Sequence, residues 1–206
     1  MKNRHGGFSL IELLVVIAII MVVAAIATPG IMNTMNGIRL RSAASEVAGI
    51  MQQCRQLAVR ANRYYTVRTA AIQGGRVAYV DLNNNGVWEN AAPAPEPIIQ
   101  LPQSVTVVAA GAPNTGNLTG QCCATFVPQN AAVLPSFNSR GLPCVGPGNA
   151  TPPVNAISVC NTNAGAVGFV YYMSQTRAFG AVGWAAVSVT PAGRIRVWTY
   201  SGTTWQ

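Results

Sequence analysis

Apolar residues fall into three successive patterns along this chain, and each pattern predicts a different element. From Phe8 to Thr28 the run is almost continuous, interrupted only by Ser9 and Glu12 before the closing threonine. These 21 residues would span about 31 Å as a helix, matching a hydrocarbon core of ~30 Å. After Pro29-Gly30 the pattern becomes one-sided: Leu40, Ala43, Val47, Ile50, Cys54, Leu57 and Ala61 recur at alternating steps of three and four. That spacing draws a single stripe down a helix, with Arg39, Arg41, Glu46, Gln52, Arg55 and Arg60 off the stripe.

Strand signals take over at Tyr64. Tyr64–Ile72 and Arg76–Leu82 flank Gly74-Gly75, a hairpin signal, and further strands are expected over 98–101, 105–109, 156–160, 167–173, 184–190 and 194–200. Loops rich in Pro, Gly and Asn are expected over 84–97, 111–121 and 143–153. There is no internal repeat. The expected fold class is α+β, a mostly protruding N-terminal helix against an antiparallel sheet.

Half of the 206 residues are hydrophobic and 9% are charged, a composition that excludes a disordered chain. Lys2, Arg4 and His5 precede the apolar run and favour a cytoplasmic N-terminus. Beyond residue 7 every basic side chain is arginine, the residue that grips phosphate in two prongs, although charge count speaks to partners and not to fold.

Gly7-Phe8-Ser9-Leu10-Ile11-Glu12-Leu13 resembles the class III signal of type IV pilins and type II secretion pseudopilins. The resemblance implies that a prepilin peptidase cuts between Gly7 and Phe8 and methylates Phe8. It also implies that Pro29 permits local unwinding of the helix. The expected domains are then a leader (1–7), a transmembrane helix (8–28), its amphipathic continuation (29–63) and an exported β-rich domain (64–206). The competing reading is a secretory signal cut after Ala27 in Ala25-Ile26-Ala27. Against it, the apolar run exceeds the ~7 to 15 residues of a usual signal core, and Glu12 interrupts that core.

The cut gives Glu12 a physical role. It creates a cationic amine on Phe8, and a carboxylate four residues on lies one turn away, within reach of that amine or of a neighbouring subunit's. In low dielectric such a pair favours assembly over isolated subunits, each of which would hold a poorly satisfied charge in lipid. Glu12 also stands in the first turn of the mature helix, where the macrodipole favours negative charge.

Three further stretches, Arg55–Arg63, Phe137-Asn138-Ser139-Arg140-Gly141-Leu142-Pro143 and Gly193-Arg194-Ile195-Arg196, are similar to GspH/FimT-type minor pilins and pseudopilins. The resemblance implies a subunit held in the bacterial inner membrane, its N-terminus cytoplasmic and its C-terminal domain periplasmic. Its partners would be a prepilin peptidase and other pilin or pseudopilin subunits, with which it assembles into or primes a pilus or pseudopilus.

Three constellations are candidates for chemistry. Asp81, Asn83, Asn85 and Glu89 place oxygens at alternating positions around Gly86, like the first half of a calcium loop. Ala92 stands where the bidentate glutamate would be, so any calcium site here is weak, and an Asn/Gly turn bonding its own backbone fits the same residues. In the C-terminal hairpin, Pro191-Ala192-Gly193 forms a turn, and period-2 alternation puts Arg194, Arg196, Trp198 and Tyr200 on one face. Guanidinium groups beside aromatic faces suit phosphates and stacked bases, and the Gly-Arg-x-Arg resemblance implies DNA uptake in transformation. The same residues also fit arginines lying over Trp198 and Trp184 on a solvated face. Finally, the five cysteines are Cys54, expected to be a core thiol, and Cys122, Cys123, Cys144 and Cys160, whose pairing sequence alone leaves open.

No C-x-x-C occurs and the single histidine is His5, so a Cys/His zinc site in the exported part is not expected. The acids are Glu12, Glu46, Asp81, Glu89 and Glu96. With no histidine after the expected cut, they form no pair of acid and base, and no enzyme is expected.

Overall fold

The computed structural model describes residues 9–72, 74–90, 95–108, 110–113, 118, 126–128, 133–147, 160, 168–176 and 181–206. Gly7, Phe8, Cys122, Cys123 and the strand expected over 156–160, apart from Cys160, lie outside them.

The chain begins with one helix, α1 (Leu10–Ala61), 52 residues long, or roughly 78 Å at the usual rise. It runs through Pro29, so the helix break expected there is absent. The proline removes one N–H donor, and the helix continues across that gap although its neighbours Thr28 and Gly30 are weak helix formers. The helix ends at Asn62, in the left-handed conformation that asparagine tolerates better than most residues. Arg63 N–H donates to the Ala58 carbonyl and Asn62 N–H to that of Val59, closing the last turn.

Among the described residues ten strands follow: β1 (Tyr65–Ile72), β2 (Gly75–Asp81), β3 (Ile98–Leu101), β4 (Val105–Val107), β5 (Phe126–Pro128), β6 (Val133–Phe137), β7 (Pro143–Pro147), β8 (Gly168–Gln175), β9 (Gly183–Val189) and β10 (Ile195–Thr199). They form two sheets where one was expected. The first has the order β3-β2-β1-β6-β7; the second runs β10-β9-β8-β4, with β5 pairing β8 in parallel. All other strand pairs are antiparallel.

Three strands escaped sequence reading. β5, β6 and β7 have proline within or at their ends, which reads as loop. β7 is an edge strand, where a missing N–H is tolerated. Pro135 of β6 lies beyond the two-residue ladder to β1, which covers only Phe137 and Ser136. The expected loop at 143–153 is thus a strand over its first five residues. The first hairpin joins Ile72 to Gly75, with Gly74 at φ +77°.

Both sheets pack on the second half of α1. Leu40, Ala43, Val47, Ile50 and Cys54 are buried as the stripe requires, together with Ala44, Ala48, Met51 and Ala58. Leu57 is half-buried and Ala61 exposed, because the helix ends at the rim of the sheets. Facing them are Val67, Ala78 and Val80 from the first sheet and Phe169, Tyr171, Met173, Val187 and Val189 from the second. The alanines keep α1 close to two sheets at once, and each large apolar side chain buried contributes about 1.5–3 kcal/mol. The opposite face of the second sheet has its own apolar cluster, built on Val170, Tyr172, Ala186, Trp198 and Trp205.

Candidate functional site

Glu12 stands in the first turn of α1, and Glu12 N–H donates to the Ser9 carbonyl at 3.1 Å. Around and beyond it the helix is bare: Leu14, Val15, Ile19, Ile20 and Val23 are each more than half exposed. Among the described residues, α1 is the one helix long and apolar enough to cross a membrane. A carboxylate in that setting has no partner from its own folded domain, which is far along the helix.

At the other end of α1, the three stretches singled out beyond the N-terminal signal meet. Asn138 to Leu142 form the turn between β6 and β7; the Asn138 side-chain carbonyl accepts from Arg140 N–H and Leu142 N–H at 2.9 and 3.0 Å. Thr190 to Arg194 form the turn between β9 and β10, closed by Gly193 N–H to the Thr190 carbonyl at 2.7 Å. Gly141 and Gly193 both have positive φ, +73° and +79°.

Arg55 of α1 lies against both turns and donates through Nη1 to the Gly193 carbonyl at 3.0 Å. A Cβ on Gly141 would sit 3.0 Å from Arg55 Nε, and one on Gly193 would sit 3.2 Å from Arg55 Cζ and 3.0 Å from the Gly141 carbonyl oxygen. Glycine is therefore required at each turn twice over, by backbone conformation and by the close approach of Arg55. Arg55 stands off the apolar stripe of α1, as its spacing predicts. It is half-buried because its guanidinium fastens the helix to both turns. The one signal in the sequence was that Arg55, Gly141 and Gly193 all fell within stretches similar to the same family.

Beside this junction lies a cleft of about 710 Å³, lined by Arg55, Gln56, Val59 and Arg60 of α1 and by Arg194 and Ile195. Arg194 is exposed here. Arg196 is also exposed, but its guanidinium lies 4.9 Å from the ring centroid of Trp198, on the face turned away from α1. Trp198 itself is buried and donates from its indole N–H to Ser188 Oγ at 2.8 Å. Arg194 thus lines the helix-side cleft while Arg196 and Trp198 sit together on the outer face. The single face drawn from period-2 alternation is divided because Arg194 belongs to the turn.

The Asp81 loop is closed on itself. Asp81 is buried and paired with Arg68, Nε to Oδ2 at 2.6 Å, in contact too poorly aligned to count as a hydrogen bond. Its two oxygens accept from Asn85 N–H and Gly86 N–H at 3.1 and 2.8 Å. Asn83 and Asn85 each donate a side-chain N–H to Glu89, at 2.9 and 2.8 Å. Glu96 is buried and accepts from Leu82 N–H and Glu89 N–H. Burial is the largest effect on its carboxyl and raises its pKa, against those two bonds. The four candidate cation ligands come together, but as mutual partners in a turn whose acid is already neutralised by Arg68. Among the described residues no group of three or more His, Cys, Asp or Glu comes together to hold a metal ion.

Cys144 and Cys160 are disulfide-bonded, with Cα atoms 5.0 Å apart, and Tyr64 is buried with them. Cys54 is a buried free thiol whose pKa burial pushes well up, the inert state expected of a core cysteine.

Comparison with known proteins bears on the N-terminus. Residues 2–28 match the prokaryotic N-terminal methylation motif. No curated protein and no solved structure matches the chain. The motif carries with it a prepilin peptidase and assembly with other pilin subunits, and with the bare helix it fits a protein anchored in the inner membrane. A methylation motif on a long apolar helix, with that helix packed against antiparallel sheets, supports a type IV pilin-like protein.

Proposed function

We propose that this chain is a minor pilin or pseudopilin of the GspH/FimT type, cut between Gly7 and Phe8, methylated on Phe8, and built into or priming a type IV pilus or type II secretion pseudopilus. Its role is structural and not catalytic. The observation that carries the reading is the bare half of α1 with Glu12 in its first turn: a helix of this kind needs lipid before assembly and other helices after it. The carboxylate needs the cationic amine that processing creates. The meeting of the three family-like stretches at Arg55 supports the finer assignment.

Mass spectrometry of the mature N-terminus tests it. The expected product begins with methylated Phe8; a product beginning at Thr28 would replace this reading with ordinary secretion. Glu12→Ala is expected to be cut normally and to lose fibre incorporation, and normal incorporation would remove the charge-pairing account.

A second reading, DNA capture during transformation, is favoured by Arg60, Arg194 and Arg196, none of which is paired with a carboxylate in the described residues. A gel shift of the full chain in detergent is expected to weaken steeply with salt. Binding unchanged in the Arg194→Ala/Arg196→Ala double variant would remove the hairpin from that role.

A further inference from the structure

β10 is an edge strand, and the hydrogen bonds at its two ends show which of its backbone groups face outward. Thr190 N–H donates to the Arg194 carbonyl and Tyr200 N–H to the Trp184 carbonyl, both toward β9. In an antiparallel pair these groups alternate, so Arg194, Arg196, Trp198 and Tyr200 bond to β9 while Ile195, Val197 and Thr199 direct N–H and C=O away from it. Thr199 confirms the alternation: it exchanges both bonds with Gln206, at 2.8 and 2.9 Å. Gln206 therefore already adds to this edge at one end. Ile195 and Val197 present the remaining two pairs of groups with no partner among the described residues.

What flanks this opening defines its occupant. On the helix side is the cleft of about 710 Å³ beside Gln56, Val59 and Ile195. Arg55, Arg60 and Arg194 line it, Arg196 stands on the other face of the strand, and no carboxylate is ion-paired with any of them in the described residues. A second copy of this chain offers no extended acidic segment among the described residues, although Glu46 and Glu89 are exposed. Asp81, Glu89 and Glu96 are bonded inside their own loop, Glu46 is on α1, and Glu12 is in the apolar run.

We propose that the β10 edge at Ile195–Val197 is a strand-addition site for an extended acidic segment of a different protein. The segment's backbone pairs with Ile195 and Val197. Side chains on one of its faces enter the cleft beside α1, and its carboxylates meet Arg194, Arg196 and Arg60. This inference does not depend on how the N-terminus is processed or on DNA binding.

The test uses the full chain in detergent micelles and three short fluorescent peptides: one alternating glutamate and valine, one alternating lysine and valine, and a glutamate–proline peptide with two prolines after each glutamate, so that no register offers two successive N–H groups to the edge. The glutamate–valine peptide is expected to bind, and the other two at least roughly tenfold more weakly, because lysine is repelled and proline cannot donate to the edge. Ile195→Pro removes an outward N–H without breaking a bond to β9, and although it also gives up packing of Ile195 on the core and lowers the melting point, it is expected to stay folded at the assay temperature and to lose binding by a similar factor. Equal binding of the glutamate–proline peptide would show that charge alone attracts it and would overturn strand addition. That comparison uses the unaltered chain and is independent of how the variant folds. No binding of the glutamate–valine peptide would overturn the proposal equally, leaving the arginines as charges that guard an edge against pairing.

Discussion

The two halves of α1 share a backbone geometry and little else. From Leu10 to Ile38 no side chain is buried; from Leu40 to Ala58 nine are. The first half satisfies its backbone internally and presents apolar side chains all round, which suits hydrocarbon or other helices of the same kind. The second half is held by two sheets through one stripe, with arginines elsewhere. A continuous helix is thus two separate structural problems, one solved by the fold and one left for the surroundings.

The sharpest way to break this contrast is to remove the same atoms from each half. Ile50 is 2% exposed and packs between the sheets; Ile50→Ala is expected to cost about 2–5 kcal/mol of domain stability, the usual range for a core truncation. Ile20, at 60% exposed, is expected to change domain stability by less than about 0.5 kcal/mol on the same substitution. Denaturant unfolding of the full chain in detergent, followed by tryptophan fluorescence, measures both. Comparable losses would mean that the bare half supports the domain after all.

The next effect tests what fastens the buried half at its end. Gly193→Ala forces a side chain into φ +79° and against Arg55 and the Gly141 carbonyl, and a non-glycine residue held there costs roughly 1–3 kcal/mol. The same unfolding experiment reads it. No loss would mean that α1 reaches the sheets without the Arg55 junction.

How much of this was legible in the sequence follows from the range of the forces involved. The two halves of α1 were, because apolar periodicity is a local record of what each face meets. The N-terminal signal was, because it lies within a few consecutive residues. β6 and β7 were not: Pro135, Pro143 and Pro147 oppose strand locally, and only the register against β1 and the sheet edge make them acceptable. Arg55 was not, because its partners Gly141 and Gly193 lie far along the chain and an arginine on a helix reads as solvated. The Asp81 loop was read for its oxygens, while the residue that neutralises Asp81, Arg68, came from a strand signal with no charge pattern of its own. The split of Arg194 from Arg196 and Trp198 was lost for a related reason, since alternation was carried one residue past the strand into the turn.

A smaller and graded effect comes from pH, and it acts on the sheets and on the half of α1 buried between them. Burial pushes the phenols of Tyr79, Tyr171 and Tyr172 up to about 12, from an ordinary value of 10.0. A pKa raised in the folded state means that the stability it reflects is complete below the unfolded value and is lost as pH climbs through the folded one. The domain is therefore expected to begin losing stability above about pH 9, where the thiol of Cys54 ionises in the unfolded chain, and to lose it more steeply from about pH 10 toward pH 12 as the phenols follow. Far-ultraviolet dichroism against pH would show the strand signal failing in that window while the helical signal of the bare half persists. Simultaneous loss of both would show the halves to be one cooperative unit.

The smallest expected change in domain stability comes from within the bare half, at Pro29. Pro29 has no N–H to give the Ala25 carbonyl, and the Thr28 hydroxyl is already bonded to Ala24, at 2.7 Å. A proline in a helix interior costs about 3 kcal/mol relative to alanine, but that cost is local where nothing packs against the helix to transmit it. Pro29→Ala is expected to leave the denaturant midpoint of the domain unchanged and to slow amide exchange over the neighbouring turns of α1. Slowed exchange with a fixed midpoint would place the weak turn of the helix outside the cooperative domain, where a subunit can bend or unwind between membrane and fibre without loosening its sheets. A midpoint that rises with the substitution would mean that the proline weakens the whole chain, and the boundary between the two halves would then lie nearer the membrane than Leu40.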